Sequence, residues 1–574
     1  MEPQIRILKF GSSVLRSEAD LPTAVQEIYR EWRKGAAVVA VVSAFGTTTD
    51  DLLKRAEQLG LPPSPGAVAA LLATGEAAAS ALLTLALQRS GLPATLLDAH
   101  TARLATRGDL LDAELVSASS DRIRRALRDS IVVLPGFVGR DQAGRTAVLG
   151  RGGSDLTAVF LARELGGSCR LVKDVDGLYT ADPARPDARR FATASWETAL
   201  RVGNGVVQPK AIHLAQDARI ALEITAAGPF AGTLIGPGPD RLAPPERPRP
   251  RLRVALLGCG TVGGGVLERL LARPDLFRVT GVAVRDRERT RRSGLPHRLL
   301  AAGPVALAEG EADVVVELLG SREPARRAVV RALELGKSVV TANKALLAEE
   351  IDSLERLAAR RGARLLYSAA VGGALPALEA VRRLAGRIRA VSGVLNGTCN
   401  YVLDRLSAGD SFETAVAAAR TAGFAEADPA LDLDGSDAAQ KLALLAREAF
   451  GMTPRWDTIP RLGIAGLDPA ALEAVARRGR AVRLVALAER TPAGLRASVR
   501  PLEVSGSHPF AKTFGAGNTL RIETTDGAVL DLSAQGAGRW PTCEAVLADL
   551  YDLIAARHES VGATETAEAE EGAA

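Results

Sequence analysis

Residues 252 to 271, "LRVALLGCGTVGGGVLERLL", decide how the second half of the chain folds. A strand predicted over Val254–Leu257 runs into glycines at 258, 260 and 263, and an amphipathic helix follows over Val266–Leu271. Glycine at these places permits a tight turn and lets the backbone approach a pyrophosphate, which then lies on the positive end of the helix. Strand, turn and helix in this order are what a dinucleotide-binding unit requires, with Gly258, Gly260, Thr261, Val262 and Gly263 against the cofactor. The next strand, "FRVTGVAV", ends beside Arg285, and Arg287 stands beyond Asp286. An acidic tip suits the free ribose of NAD, whereas arginine suits the extra phosphate of NADP, so Arg285 favours NADP(H).

Farther along, "ADVVVELLGS" reads as a buried strand entering a loop at Gly320 and Ser321, and "GKSVVTANKALLA" as another strand followed by Asn343 and Lys344. Strands alternating with helices imply a parallel sheet whose ligand sits beyond the carboxyl ends of the strands, within reach of Lys344. The stretch "FAEADPALDLDGSDAAQKLALLA" then packs Glu426, Asp428, Asp432, Asp434 and Asp437 into a short span before Lys441. A calcium loop would take Asp432, Asp434 and Gly435 at its third, fifth and sixth places, but it puts Lys441 where a bidentate glutamate is needed. The stretch reads instead as acceptors for an amine-bearing substrate beside a proton-transferring lysine. Asp437 and Lys441 share one helix face, so the carboxylate can orient the amine.

At 574 residues the chain exceeds what one hydrophobic core serves, and three or four domains are expected. A net charge of +5 with scattered arginines leaves no footprint for nucleic acid. Cys169, Cys259, Cys399 and Cys543 lie far apart, which argues against a zinc site or a disulfide framework and fits a reducing cytoplasm. No signal-like start and no uninterrupted apolar run of about 18 residues is found, so no membrane partner is expected. The six prolines of "GPGPDRLAPPERPRPR", residues 236–251, predict a stiff extended linker, and the acidic residues of 559–574 predict a disordered tail.

"GCGTVGGGV", "TANK", "AAVGGALP", "GVLNGTCNYVL" and the acidic stretch stand in the order found in homoserine dehydrogenases, and "GAGRWPTCEAVLADL" is similar to that family's return to the nucleotide domain. The resemblance spans about residues 252–556. It implies that Glu426 and Asp432 bind the amino-acid substrate, that Lys441 is the acid/base and that Lys344 stands between cofactor and substrate. The chemistry agrees, because hydride transfer to an aldehyde makes an alkoxide that needs a proton donor and nearby positive charge. The family often has a glutamate before "AAVGG" for a monovalent cation, whereas this chain has Ser368. The carbonyls of Val371, Gly373 and Leu375 are the remaining candidate donors to Na+ or K+.

In the first half, "ILKFGSSVL" and "VVAVVSAFGTTTDDLL" each lead a strand into a loop of small residues, whose N–H groups suit phosphate. With "LLATGEAAASALL", "GRGGSDLTA" and "DVDGLYTADP" they resemble the amino acid kinase fold, most closely aspartate kinase, over residues 5 to about 230. The resemblance implies that Lys9 neutralises the transferred phosphoryl group and that Glu76, Arg151 and Ser154 bind aspartate. Asp155 would organise the site, and Asp174 and Tyr179 would contact ATP, which brings Mg2+. Four departures bear on this: the opening loop is one glycine shorter than the usual pattern, Ala77 follows Glu76 where arginine is usual, Lys173 replaces threonine before "DVDG", and Gly205 replaces a lysine near the nucleotide.

The expected fold is therefore α/β: an amino acid kinase domain (1–235), the linker (236–251), a Rossmann domain (252–376, completed by 535–558) and an α+β catalytic domain (377–534). The expected function is an NADP-dependent homoserine dehydrogenase fused to an aspartate kinase in threonine and methionine biosynthesis, acting on small molecules as a homo-oligomer, dimer or tetramer. Fused relatives commonly carry ACT regulatory domains between the halves, and about sixteen residues leave no room for one here. The alternative is an active dehydrogenase whose kinase-like half is a silent binding or oligomerisation module.

Overall fold

A computed structural model describes residues 3–59, 64–203, 205–245, 250–284, 297–301, 303–425 and 428–571. Two compact units emerge, one of Met1–Arg249 with Tyr551–Ala574, the other of Pro250–Leu550. The architecture is mixed α/β, as expected.

In the first unit β1 (Ile5–Phe10) lies parallel between β2 (Ala37–Val42) and β3 (Ser168–Lys173) inside a nine-stranded sheet. The run AVVAVV of β2 is buried throughout, the pattern of a parallel strand covered on both faces. Helix α1 (Pro65–Arg89) is long and apolar enough to cross a membrane by length and composition, yet Val68, Leu72, Ala79, Leu83 and Leu87 are buried and Glu76 interrupts it. Helix α2 (Gly153–Leu165) starts after Gly152, whose positive φ of 77° turns the chain into its first turn.

The segment expected as a linker does more than span. Arg241–Leu242 forms an edge strand that pairs antiparallel with Phe191–Ser195. Asp240 accepts from Ser195 N at 2.7 Å and from Thr198 Oγ1 at 2.6 Å. Proline cannot donate to a ladder, but an edge strand two residues long leaves the surrounding prolines outside it.

In the second unit, β4 (Leu252–Leu257) is central in a six-stranded parallel sheet, between Phe277–Ala283 and β5 (Val314–Glu317), with β6 (Ser338–Thr341) next to β5. Helix α3 spans Thr261–Ala272, five residues earlier than its predicted start. Glycines 263, 264 and 265 hid that first turn, because glycine is a poor helix former. Helix α4 (Lys344–Arg360) follows β6, while α5 (Gly397–Ser407) and α6 (Ser436–Phe450) accompany a five-stranded antiparallel sheet that begins with Ile388–Val394. One large apolar cluster takes in buried residues from Ala255 to Ile522, on both sides of the boundary expected at 376/377.

Helix α7 (Arg539–Glu571) runs through most of the segment expected to be a disordered tail. Its first part returns to the dinucleotide turn, where Cys543 Sγ donates to Val262 O at 3.4 Å and Glu544 pairs with Arg269 at 3.4 Å. That return belongs to the second unit only as far as Leu550, short of the expected 558.

Candidate active sites

Helix α6 gathers the chemistry of the second unit. Gly435, at a φ of 85°, turns the chain into the helix, Asp437 lies in the first turn and Lys441 one turn on. Lys441 Nζ is 2.8 Å from Asp437 Oδ2 and donates to Leu395 O at 2.7 Å. Lys344, first residue of α4, puts its Nζ 3.2 Å from Asp437 Oδ1. Burial by itself would raise the pKa of Asp437, but the charges of Lys441 and Lys344 and the bonds from Lys441 and Asn396 hold it far below the usual carboxylate range.

The four described carboxylates of the acidic stretch divide their work. Asp428 accepts from Ala430 N at 3.1 Å and Asp434 from Ser436 N at 2.8 Å, so each is turned onto the backbone two residues ahead of it. Asp432 faces Asp437 across a single amide: Asn396 Nδ2 donates to Asp432 Oδ1 at 2.7 Å and to Asp437 Oδ2 at 2.8 Å. Thr398 Oγ1 lies 3.1 Å from Asp432 Oδ2. Burial first, and then the charge of Asp437, pushes the carboxyl of Asp432 up. Glu426 and Arg285 lie outside the described residues. Asn396 and Thr398 escaped the sequence reading, because the bridge joins residues 41 positions apart and only the helix-start pattern Asn-Gly-Thr marks them.

At the dinucleotide turn the glycines serve different ends. A Cβ on Gly258, whose φ is 100°, would stand 2.5 Å from Leu318 O, and one on Gly263 would stand 2.0 Å from Gly258 O. A Cβ on Gly260 would meet nothing within 4 Å. Two glycines therefore close the turn, while the third keeps an open approach at the N-terminus of α3, a fit for a pyrophosphate. The neighbouring strand ends are tied by Glu317, which is fully buried. It accepts from Thr341 Oγ1 at 2.6 Å and from Leu319 N at 2.8 Å. Asn343 Nδ2 donates to Ser321 O at 2.9 Å, joining the loop of Gly320 and Ser321 to the start of α4 beside Lys344.

The candidate cation donors are differently engaged. Leu375 O accepts from Ala377 N at 2.7 Å. Ser368 Oγ sits 2.6 Å from Glu379 Oε1 and 2.7 Å from Asp549 Oδ1, so the serine that replaces the family's glutamate is spent on two carboxyl groups.

The first unit has its own cavity, about 540 Å³, lined by Lys9, Glu76, Arg151, Ser154, Asp155, Lys173 and Gly205 among others. Asp155 receives Lys9 Nζ at 2.7 Å on Oδ1 and Lys173 Nζ at 2.8 Å on Oδ2. Despite the burial that would raise it, the two ammonium groups keep its pKa below the ordinary value. Glu76 is 3% exposed; Oε1 accepts from Ala44 N at 3.3 Å and Oε2 has no partner among the described residues. Burial pushes its pKa up to about 7. Asp174 is exposed and Tyr179 Oη donates to Asp176 at 2.7 Å; neither lines this cavity.

Residues 376–551 match the family model for homoserine dehydrogenase, 258–368 that for the homoserine dehydrogenase NAD binding domain, and 4–226 that for the amino acid kinase family. A homoserine dehydrogenase of Mycobacterium tuberculosis is 40% identical over 328 residues, covering 54% of this chain and 73% of the relative. That of a Synechocystis species is 33% identical over 317 residues, covering 53% and 73%. The crystal structure of a homoserine dehydrogenase from Thiobacillus denitrificans, 33% identical, superposes with a TM-score of 0.50 over 54% of this chain and 74% of that one.

Proposed function

Since the chain belongs to the homoserine dehydrogenase family and carries an amino acid kinase domain ahead of it, we propose that its second unit reduces L-aspartate 4-semialdehyde to L-homoserine with NADPH, and that its first unit phosphorylates L-aspartate with ATP. The observation that carries the first reading is the pairing of both Lys344 and Lys441 with the one carboxylate of Asp437.

A bound NADPH would supply the hydride that the aldehyde carbon takes up. The carbonyl oxygen gains charge as it does so, and Lys441 donates the proton that makes it a hydroxyl while Lys344 adds positive charge close by. Asp437 fixes both amines. Asp432, held by Asn396 and Thr398, accepts from the substrate ammonium together with Glu426. Arg285 selects the 2′-phosphate of NADP. Purified chain should oxidise NADPH in the presence of aspartate semialdehyde. Arg285→Ala should weaken NADPH binding by about 1.5–3 kcal/mol and leave NADH unchanged; equal losses would remove that role.

Phosphoryl transfer to a carboxylate is mostly positioning and charge neutralisation between two anions. Lys9 and Lys173 supply cations, Arg151 and Glu76 suit the two ends of aspartate, and Mg2+ would arrive with the nucleotide, since it is usually held through substrate phosphates. A silent binding module is the second reading, favoured by Gly205, which brings no side chain to the cavity, and by Lys210, whose Nζ is engaged by Asp112. Aspartate-dependent ADP formation separates the two. The four free thiols suit a reducing cytoplasm, and a dimer or tetramer is carried on the family resemblance, to be tested by the mass in solution.

A further inference from the structure

The cavity of the first unit places a second ammonium group where one would suffice. Asp155 is a single carboxylate, and Lys9 at 2.7 Å already neutralises it. Lys173, the last residue of β3, takes the other oxygen at 2.8 Å. Both lysines are buried, yet both line the cavity. Two further carboxylates act on these lysines, but burial pushes Glu76 toward its neutral form and Asp174 is exposed, so the wall keeps an excess of positive charge that is costly unless a further anion completes it.

Another part of the cavity lining lacks a cation that the kinase resemblance leads one to expect. Gly205 stands where the kinase family usually carries a lysine near the nucleotide, and a Cβ there would meet nothing within 4 Å. Lys210, the nearest lysine in sequence, is half-exposed and paired with Asp112. We infer that Lys173 binds the terminal phosphates of a nucleoside triphosphate, entering from the end of β3 and standing in for the cation that the loop at Gly205 lacks. The inference rests on the reading of the first unit as a nucleotide-binding kinase fold. Burial and the neighbouring Lys9 lower the pKa of Lys173, so a phosphate beside it favours its charged form.

The test compares Lys173→Met, which keeps length without charge, and Lys173→Arg with the unaltered full chain. Calorimetry measures binding of a non-hydrolysable ATP analogue with Mg2+ and of AMP, and hydrogen exchange in β3 reports folding. Lys173→Met should lose about tenfold or more in affinity for the triphosphate analogue, with AMP affinity and exchange unchanged, and Lys173→Arg should retain most of the affinity. Unchanged analogue binding in Lys173→Met, or equal losses for analogue and AMP, would overturn the role. If Lys173→Met does not fold, Lys173→Thr, the residue usual in the family, answers the same question. Unaltered chain that binds neither nucleotide overturns the kinase-fold reading itself, and the role of Lys173 with it.

Discussion

Asp437 Oδ2 lies 2.8 Å from Lys441 Nζ, one turn apart on a helix whose residues 436–446 are all buried. An exposed pair at this spacing would be worth only about 0.3–0.5 kcal/mol. Here the carboxylate also holds Lys344 and stays ionised far into acid, so it fixes two amines at one place. Lys441→Ala should lower kcat for homoserine oxidation about a hundredfold or more, the scale of general acid/base catalysis, while a fluorescence titration shows NADPH binding retained. Near-normal turnover would remove Lys441 from the mechanism.

Asn396 joins Asp432 to Asp437 through one amide and caps α5 by accepting from Cys399 N at 2.8 Å. Asn396→Ser keeps a capping oxygen but cannot bridge. Without the bridge the two carboxylates repel and Asp432 loses its orientation. KM for homoserine should rise about tenfold or more, the loss of a bond to a charged group, with NADPH affinity unchanged. Steady-state kinetics in both substrates checks this, and a matching fall in cofactor affinity would point to general disorder instead.

Gly260→Ala and Gly263→Ala should fail differently. The first adds a methyl group that meets no protein atom within 4 Å, so the variant should unfold like the parent but lose NADPH affinity, since the methyl group occupies the approach of the pyrophosphate. The second sets a Cβ 2.0 Å from Gly258 O and should destabilise the second unit by about 1–3 kcal/mol. Denaturant titration beside cofactor titration separates the two.

What the sequence disclosed follows physical reach. The glycine turn after β4 and the spacing of Asp437 and Lys441 are local, and each was readable from residues within one or two turns. The bridge from Asn396 and the clasp of Glu317 on Thr341 and Leu319 are tertiary, so no periodicity marks them. The acidic stretch was legible as a cluster but not in its division of labour, because an aspartate turned onto its own backbone such as Asp434 and one bridged by a distant amide such as Asp432 look alike in sequence. Prolines suggested a bare linker, and the edge strand at Arg241–Leu242 was hidden by its brevity. In the first unit, Lys9, Glu76, Arg151, Ser154 and Asp155 do converge on one cavity, but Asp174 and Tyr179 stand outside its lining.

Glu76 supplies the pH test for that cavity. Its pKa is raised to about 7 from 4.5 by burial in the middle of α1, so the folded state binds a proton that the unfolded chain has released between those values. Stability therefore falls as pH rises through this window, by about 3 kcal/mol in all, and the contribution is fully present only below about 4.5. Glu76→Gln should abolish this slope: α1 should gain hydrogen-exchange protection at pH 8 and change little at pH 4. Binding runs the other way, because the unpartnered Oε2 attracts a substrate ammonium only when ionised. Aspartate affinity of the parent should rise about tenfold in all between pH 6 and pH 8, as the carboxyl ionises through its pKa of about 7, and Glu76→Gln should bind weakly and without that dependence. A parent whose aspartate affinity is flat across this range would mean that Glu76 does not meet the substrate's amino group.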